Sequence, residues 1–318
     1  MTKQKERRKL KMKNQLLNLF KDNFPSGSFI RIGKNKTLCL YIGRDTDGRY
    51  SFDYRGEFIP VRVIGSGVIA VNHIKSDATP EIFLRFSLVN VELLEYFCTF
   101  CADIIDSTIN IIDERQAYKI ICDRYFAWKK LFKPQQGKLV ENELMGLVGE
   151  MLFMRDYMLR VYPTITAIES WTGPEPMHKD YSVDDAWFEI KTINAGKESV
   201  KISSLEQLDS DTEGILIVYA LEKMSPTYNG IRINKLVTSI LDKIQTPMLR
   251  EMFLTKLSLT GFEFNSENDN YVYDVHEFSA YKVNKVFPKL SNKNMPLAIN
   301  KVQYEILLSE IEAYKITL

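Results

Sequence analysis

The sequence predicts an α+β protein in which a β-rich N-terminal region and connecting helices precede a second, mixed α/β region. Three observations support this prediction. Short segments rich in aromatic and β-branched residues fill positions 28–86. Apolar residues three and four positions apart then recur over much of 91–162. Beyond 162, strand-like and helical segments follow one another, as in a mixed α/β core.

Bulk composition limits the class of protein before any motif is considered. The chain has 318 residues, of which 45% are hydrophobic and 26% charged, which are ordinary values for a folded protein of one large or two modest domains. The net charge of +1 gives no global attraction for nucleic acid, so any such surface must come from local segregation of charge. Four cysteines and the absence of a membrane-length apolar run predict a cytoplasmic protein without a membrane partner.

The N-terminal region begins with a basic segment of 24 residues that has the pattern of an amphipathic helix. It is either a solvated end or an arm that contacts phosphates. A small β-rich domain follows, with a barrel as one arrangement, and Asp47-Gly48 predicts a hairpin turn. The predicted strands are "FIRI", "LCLYIG", "YSFDY", "IPVRVIG" and "IFLRFSL".

Two connecting helices are predicted next, over "VELLEYFCTFCADIID" and "DERQAYKIICDRYFAWKKLFK". Pro134 and Gly137 then break the helical pattern. We therefore predict a first domain over 1–134, which holds the basic helix, the β-rich part and the connecting helices. The second domain is predicted over 135–318.

The second domain opens with a predicted helix, "ENELMGLVGEMLFMRDYMLRVY", which ends before Pro163. The pieces "TAIESW", "KDYSV", "AWFEIKTI" and "VKIS" are predicted as strands. A short helix, "SLEQL", leads to a buried strand, "GILIVYALE". Two helices cover about 231–259, and the tail returns to strands in "YVYDVHEFSAYKV" and around "VQYEILL".

One constellation of charged residues lies within these predicted strands. Side chains alternate along a strand, so Glu189 and Lys191 point to the same face. Asp180 lies on or just before the preceding strand, and the acidic pair at 184 and 185 is suited to a turn. An antiparallel hairpin of this length brings Asp180 beside Glu189. Glu189-Ile190-Lys191 is also the one place in the chain where Asp or Glu is followed two residues later by Lys.

This arrangement suits metal-assisted hydrolysis. The carboxylates of Asp180 and Glu189 would bind a hard divalent cation, with Mg²⁺ as the default and the carbonyl of Ile190 as a further ligand. Lys191 would orient the nucleophile or offset charge in the transition state. The spacing alone leaves another interpretation open, namely an exposed hairpin with incidental ion pairing.

A further acid lies in the preceding helix, in "GLVGEMLFM". Glu150 has mostly apolar neighbours, and an acid there is costly unless it meets a metal, a cation or hydrogen-bond donors. Gly146 and Gly149 lower helix propensity but would let the helix approach a sheet closely. The alternative is that Glu150 lies on the polar stripe of an amphipathic helix.

These pieces resemble the PD-(D/E)xK nuclease superfamily, in which a helix acid, an aspartate and an acid-x-lysine strand follow in this order. The longer pattern resembles the bacterial "PD-(D/E)XK motif protein" family, which is often encoded beside restriction and modification genes. Its recognisable pieces run from 146 to 290: "GLVGEMLFM", "WTGPEPMHKDYSV", "FEIKTI", "ISSLEQL" and "YKVNKVFPKL". One departure stands out. No Pro-Asp dipeptide occurs, and Asp180 follows Lys179.

The resemblance implies a restriction-endonuclease-like α/β core and Mg²⁺-dependent hydrolysis of DNA, with Mn²⁺ as a substitute metal. It implies that Asp180, Glu189 and Lys191 form the catalytic motif and that Glu150 supports it. Gln207 is placed to reach the same site, although it could equally cap or pack.

The resemblance also implies a role in restriction or phage defence, with methyltransferase or ATPase companion subunits. A homodimer is expected because cutting both strands usually needs two active sites. Two alternatives stay open: a DNA-binding or assembly subunit that keeps the fold without cleaving, and a nuclease that acts on RNA.

Overall fold

The computed structural model describes residues 2–21, 24–33, 38–132, 139–174, 179–184, 186–291, 296, 299 and 302–318. By packing, the chain forms two compact units. The first unit is Met1–Lys138 with Leu241–Ser266, and the second is Leu139–Ile240 with Glu267–Leu318. Position 134, where the sequence predicts a domain boundary, lies outside the described residues. That boundary therefore stays a prediction.

The helices differ in burial. The α-helices of the described residues are α1 (Thr2–Lys21), α2 (Leu94–Ser107), α3 (Glu114–Lys129), α4 (Glu141–Phe153), α5 (Leu159–Val161), α6 (Thr164–Glu169), α7 (Ile233–Lys243) and α8 (Pro247–Leu259). Helix α2 is buried over nearly its whole length, whereas α3 buries one side and α5 has no buried residue. A π-helical turn, Met154–Met158, separates α4 from α5. Short 3₁₀ helices lie at Val91–Leu93, Leu205–Gln207, Ser266–Asn270 and Leu308–Tyr314.

The strands form one sheet in the first unit and two sheets in the second. The first sheet contains β1 (Phe29–Ile32), β2 (Cys39–Arg44), β3 (Tyr50–Gly56), β4 (Ile69–Lys75) and β5 (Ile82–Leu88). The others contain β6 (Tyr181–Val183), β7 (Ala186–Asn194), β8 (Ser199–Ile202), β9 (Gly214–Met224), β10 (Val272–Val283), β11 (Tyr304–Leu307) and β12 (Lys315–Ile316).

The sheet of the first unit is antiparallel and open, in the order β1-β2-β3-β5-β4, so the barrel arrangement is wrong. Alternate residues of β3 and β5 point towards the helices: Phe86 contacts Phe100 of α2 and Tyr125 of α3. The predicted strand over 59–65 is also wrong, and β4 forms later, at Ile69–Lys75. Pro60 lacks the N–H that a ladder needs, and the Val61 N–H donates to the Tyr118 hydroxyl instead.

The first helix contributes to the core of the first unit. Leu16 and Phe20 are buried, and the Phe20 ring lies 5.4 Å from that of Tyr50 and 5.9 Å from that of Phe97. A purely solvated N-terminal end is therefore wrong for the second half of α1. The alternative, a phosphate-contacting arm, stays a prediction.

The main sheet of the second unit is mixed, in the order β12-β10-β9-β7-β6. Its central pair, β7 and β9, is parallel, and the other pairs are antiparallel. One face packs on α4 and the π-helical turn, where Phe153 and Tyr157 contact Phe188. The opposite face packs on the β8–β11 pair and the 3₁₀ helix Leu308–Tyr314, around Trp187, Ile193 and Leu216.

One predicted strand of the second unit is wrong. The sequence predicts a strand over "TAIESW", but Thr164–Glu169 is helix α6. Pro163 is the N-cap of this helix, with φ −54° and ψ 145°, so its backbone is extended and the helix begins at the next residue. The two buried residues of α6, Ala167 and Ile168, are adjacent and do not alternate, so the strand period of two is absent.

Candidate functional site

The hairpin of β6 and β7 brings the predicted acids together. Tyr181 pairs with Phe188 in the antiparallel register. Extending that register by one residue places Asp180 opposite Glu189, where side chains share a face of the sheet. The turn contains Asp184 at φ 47°, a left-handed conformation that aspartate tolerates well. Asp185, the second acid of the predicted turn, lies outside the described residues.

The side chain of Asp180 continues the pairing with β7 next to the end of β6. β6 is only three residues long, and beyond it the Asp180 Oδ2 accepts a hydrogen bond of 2.7 Å from the Ile190 N–H. The backbone carbonyl of Asp180 accepts from the N–H groups of Thr172 and Gly173, at 2.9 and 3.1 Å. Because a strand residue directs its N–H and C=O to the same edge, the Ile190 carbonyl points to the side where Asp180 lies.

Glu189 is buried, with 1% of its surface exposed. Its Oε1 accepts from the Lys191 ammonium at 2.6 Å, whereas its Oε2 is buried and has no hydrogen-bond partner among the described residues. Burial, and then the nearby Asp180 carboxylate, raises the pKa of Glu189 to about 8, against the opposing effect of Lys191. A carboxylate in this condition is stabilised by any cation that reaches it.

Helix α4 positions the carboxylate of Glu150 near that of Asp180. A Cβ at Gly149 would collide with Cγ2 of Thr192 on β7, so this glycine permits the close approach of helix and sheet. Gly146 faces open space, so the close-approach role predicted for both glycines belongs to Gly149 alone.

The Glu150 side chain is partly buried against the hairpin. Its Oε2 accepts from the Trp171 indole N–H at 2.7 Å. Glu150 Oε2 and Asp180 Oδ1 lie 2.8 and 3.3 Å from the point that a Cβ at Gly173 would occupy. Burial, and then Asp180, raises the pKa of Glu150 well above its ordinary value. The contact with Trp171 and the proximity to Asp180 argue against the interpretation of Glu150 as part of a solvated stripe.

Lys179 has a role that the sequence did not reveal. Its ammonium donates to the carbonyls of Glu206, Gln207 and Asp209, at 2.6, 2.8 and 3.2 Å, and lies 3.8 Å from the centre of the Trp187 ring. Burial lowers its pKa to about 8. These contacts anchor the chain immediately before Asp180, at the position where the superfamily motif has proline. The unusual residue at that position was the one available signal.

Gln207 makes a local contact. Its Oε1 accepts from the Ser203 N–H at 2.7 Å, which caps the turn that precedes the 3₁₀ helix Leu205–Gln207. This contact is the capping role that the sequence left open. A part for Gln207 in the chemistry stays a prediction.

The donor set fits a hard divalent cation that binds through oxygen. Within the ranges that the structure describes, no three Asp, Glu, His or Cys side chains converge closely enough to hold a metal by themselves. The candidate ligands are therefore two carboxylates, Asp180 and Glu189, with the Ile190 carbonyl. The buried Glu189 Oε2, without a partner in the described chain, is the atom that such a cation would satisfy.

Comparison with known proteins identifies the family. The sequence model of the family described as "Putative PD-(D/E)XK family member (DUF4420)" matches residues 7–309. No curated protein matches the chain. No solved structure matches it either. The architecture is the restriction-endonuclease-like α+β fold that the sequence predicts. Among the described helices, none is both long and apolar enough to cross a membrane.

Proposed function

The chain belongs to this PD-(D/E)XK family, and from that premise we propose that it is a Mg²⁺-dependent DNA endonuclease. One observation supports the proposal above the others. Glu189 is buried beside Asp180 with one carboxylate oxygen unpartnered among the described residues, while Lys191 lies alongside. A purely structural carboxylate at 1% exposure would be expected to have both oxygens satisfied.

Asp180, Glu189 and the Ile190 carbonyl would hold the metal. When bound, a divalent cation supplies Lewis acidity towards the scissile phosphate and lowers the pKa of a water molecule. Mg²⁺ is the proposed ion because all three ligands are hard oxygen donors, and Mn²⁺ would substitute for it. The bond from the Ile190 N–H fixes the orientation of the Asp180 carboxylate, so the ligand set is largely preformed.

Lys191 would act on the reacting atoms. Its ammonium is held at the site by the 2.6 Å hydrogen bond to Glu189. From there it can donate to the attacking water or to a phosphate oxygen, where negative charge develops. Glu150, held by Trp171, would accept a hydrogen bond from that water and so orient it.

The biological setting follows from the family resemblance. We place the activity in restriction or phage defence, because the similar family is often encoded beside restriction and modification genes. A homodimer would supply two active sites for cutting both strands. Methyltransferase or ATPase subunits would be the companions in such a system.

The test measures plasmid cleavage and DNA retention side by side. Wild-type protein should cut plasmid in Mg²⁺ and stop in EDTA. Lys191→Ala should reduce cleavage by about a hundredfold to a thousandfold, while DNA retention in Ca²⁺ is kept because it depends on many phosphate contacts. Lys197→Ala is the matched control, since Lys197 follows β7, is 43% exposed and pairs with Glu305. It should cleave as the wild type does.

The outcomes separate an enzyme from a binding subunit. Retention of DNA without cleavage, in wild type and Lys191→Ala alike and with methylated and unmethylated substrate, would replace the enzyme by the non-cleaving subunit. Equal loss of activity in Lys191→Ala and Lys197→Ala would remove the special role of Lys191. Cleavage of RNA but not DNA would change the substrate and leave the site intact.

A further inference from the structure

The sheet of the first unit has a second face, opposite the helices, that concentrates arginine and aromatic side chains. We call it the arginine–aromatic face and define it by Phe29, Arg31, Tyr41, Arg55, Phe83 and Arg85. Each of these side chains is at least partly exposed. The overall charge of the chain is only +1, so this accumulation of arginines is a local feature.

The strand register places these residues on one face. Arg31 pairs with Tyr41, Tyr41 with Asp53, and Asp53 with Arg85, so the four form one row across the sheet. Arg55 pairs with Phe83 in the next row. Directly paired residues in antiparallel strands point the same way.

The guanidinium groups lie against aromatic rings. The Arg55 guanidinium is 4.0 Å from the centre of the Tyr41 ring and 4.4 Å from that of Phe83. The Arg85 guanidinium is 4.4 Å from the centre of the Phe29 ring. Arg85 also donates two hydrogen bonds to the buried Asp53 carboxylate, from Nε and Nη2, both at 2.8 Å. The guanidinium groups and the rings are thus held in fixed positions on the four neighbouring strands β1, β2, β3 and β5.

The charges on this face do not cancel. Three arginines stand against a single carboxylate among the strand positions of this face, and Asp53 is the one acid. Asp53 also accepts from Arg55 Nη2, at 3.1 Å, so Arg55 and Arg85 share this one carboxylate, while Nε of Arg55 is buried without an acceptor among the residues that the structure describes. The excess charge among these strand positions is therefore positive, and the arginine side chains alternate with aromatic rings. That combination complements a partner that carries both phosphates and planar bases.

We propose that the arginine–aromatic face binds single-stranded nucleic acid. The proposal rests on the proposed function in one respect, since it assumes that nucleic acid is the substrate. Bases would stack on the rings of Tyr41, Phe83 and Phe29, and the arginines would contact the phosphates between them. An open antiparallel sheet with helices on one side and aromatic residues on the other is a known way to stack two or three bases.

A single strand fits this surface better than a duplex does. In a duplex the bases are stacked on each other, and a broad sheet face meets only the backbone. The row from Arg31 to Asn72 crosses five strands, or about 19 Å at the usual strand spacing, which accommodates a short run of nucleotides.

The experiment uses the full chain and a fluorescein-labelled oligothymidylate of about a dozen nucleotides, with anisotropy measured in EDTA to prevent cleavage. Tyr41→Ala should weaken binding by about tenfold or more, because one stacked base is lost. Arg31→Glu should weaken binding and flatten its salt dependence. The matched controls lie on α3: Phe126→Ala, at a ring that is 41% exposed, and Arg115→Glu, at an exposed arginine. Both should bind as the wild type does.

A second measurement needs no variant and covers the case in which Tyr41→Ala fails to fold. An oligonucleotide that carries 5-iododeoxyuridine is photocrosslinked to wild-type protein, and the attached peptides are identified by mass spectrometry. Crosslinks at Phe29, Tyr41 or Phe83 support the proposal. Crosslinks confined to the second unit, or equal affinity for a duplex of the same length, overturn it.

Plasmid cleavage run in parallel keeps the two proposals apart. Cleavage by the wild type together with unchanged oligonucleotide binding by folded Tyr41→Ala and Arg31→Glu overturns the arginine–aromatic face and leaves the endonuclease standing. Binding that depends on Tyr41 and Arg31, in a protein that never cuts, supports the face and overturns the endonuclease.

Discussion

The two units of the molecule each bury a cluster of charged side chains, and the clusters are built in opposite ways. In the first unit, Asp103 Oδ2 accepts from Arg124 Nε and Nη2 at 2.9 and 2.7 Å and from the Trp128 indole at 2.9 Å. Its Oδ1 pairs with Arg250, whose Nη2 reaches Asp106 at 2.9 Å. Two carboxylates and two guanidinium groups balance, and both oxygens of Asp103 are used.

In the second unit, three carboxylates outnumber the two ammonium groups near them, those of Lys191 and Lys179. Glu150, Asp180 and Glu189 lie around Lys191, and their mutual burial and repulsion raise the pKa values of Glu150 and Glu189. Glu189 Oε2 remains without a partner in the described part of the chain. A saturated, neutral cluster is costly to break at any one member, whereas an acidic cluster with an unused oxygen costs stability until a cation binds.

The largest effect is expected from breaking the saturated cluster around Asp103. Asp103→Ala should lower the free energy of unfolding by about 3–5 kcal/mol, because it leaves Arg124 and Arg250 buried without their shared partner. Urea titration followed by circular dichroism measures the change. Asp123→Ala on the exposed side of α3 is the control and should alter stability by less than about 0.5 kcal/mol. A loss below 1 kcal/mol for Asp103→Ala would show that the cluster contributes little.

The second effect concerns metal binding at the acidic cluster. A divalent cation at about a hundred times its dissociation constant should stabilise the wild type by about 2.7 kcal/mol, visible as a rise in Tm. Glu189→Gln and Asp180→Asn should each remove most of that rise by replacing a charged ligand. Glu213→Gln, at a glutamate that is 61% exposed and paired with Lys282, should keep it. A rise that persists in both site variants would place the metal elsewhere.

The sequence predicted the acidic cluster better than the saturated one, for a physical reason. Asp180, Glu189 and Lys191 lie within 12 positions of one hairpin, so strand alternation and turn length were enough to bring them together. Asp103, Arg124 and Arg250 come from three helices, and Arg250 is 147 positions from Asp103. No local periodicity encodes such a contact.

The same limit applies to the elements that were predicted wrongly. Over 59–65 the β-branched residues favour a strand, but the Val61 N–H bonds to the hydroxyl of Tyr118, which lies 57 positions away. Lys179 was missed because its acceptors are backbone carbonyls at 206, 207 and 209, which leave no mark in the sequence.

A third effect tests how closely α4 must approach the sheet to present Glu150. Gly149→Ala should destabilise by about 1–3 kcal/mol, because the added methyl group meets Thr192 and Ile190. Gly146→Ala in the same helix should instead stabilise by up to about 1 kcal/mol, since its Cβ meets nothing within 4 Å. Thermal and urea unfolding of the two variants provides the comparison. Similar changes in both would mean that helix propensity alone governs them.

The last expected effect is a gradual slope of stability against pH, measured in EDTA, which is small within any single pH unit. The pKa of Glu189 is raised from its ordinary value of 4.5 to about 8, so between these values the folded state binds more protons than the unfolded state. The free energy of unfolding should therefore fall as pH rises through this window, and one carboxyl contributes at most about 1.4 kcal/mol per pH unit. Glu189→Gln cannot lose this proton, so its stability relative to the wild type should increase steadily from pH 5 to pH 8.

Glu222→Gln, at an exposed position of β9, is the control, and its stability should change with pH in parallel with that of the wild type. A constant difference between Glu189→Gln and the wild type across the window would mean that Glu189 is already ionised at pH 5. In that case the acidic cluster would be as well satisfied as the one around Asp103.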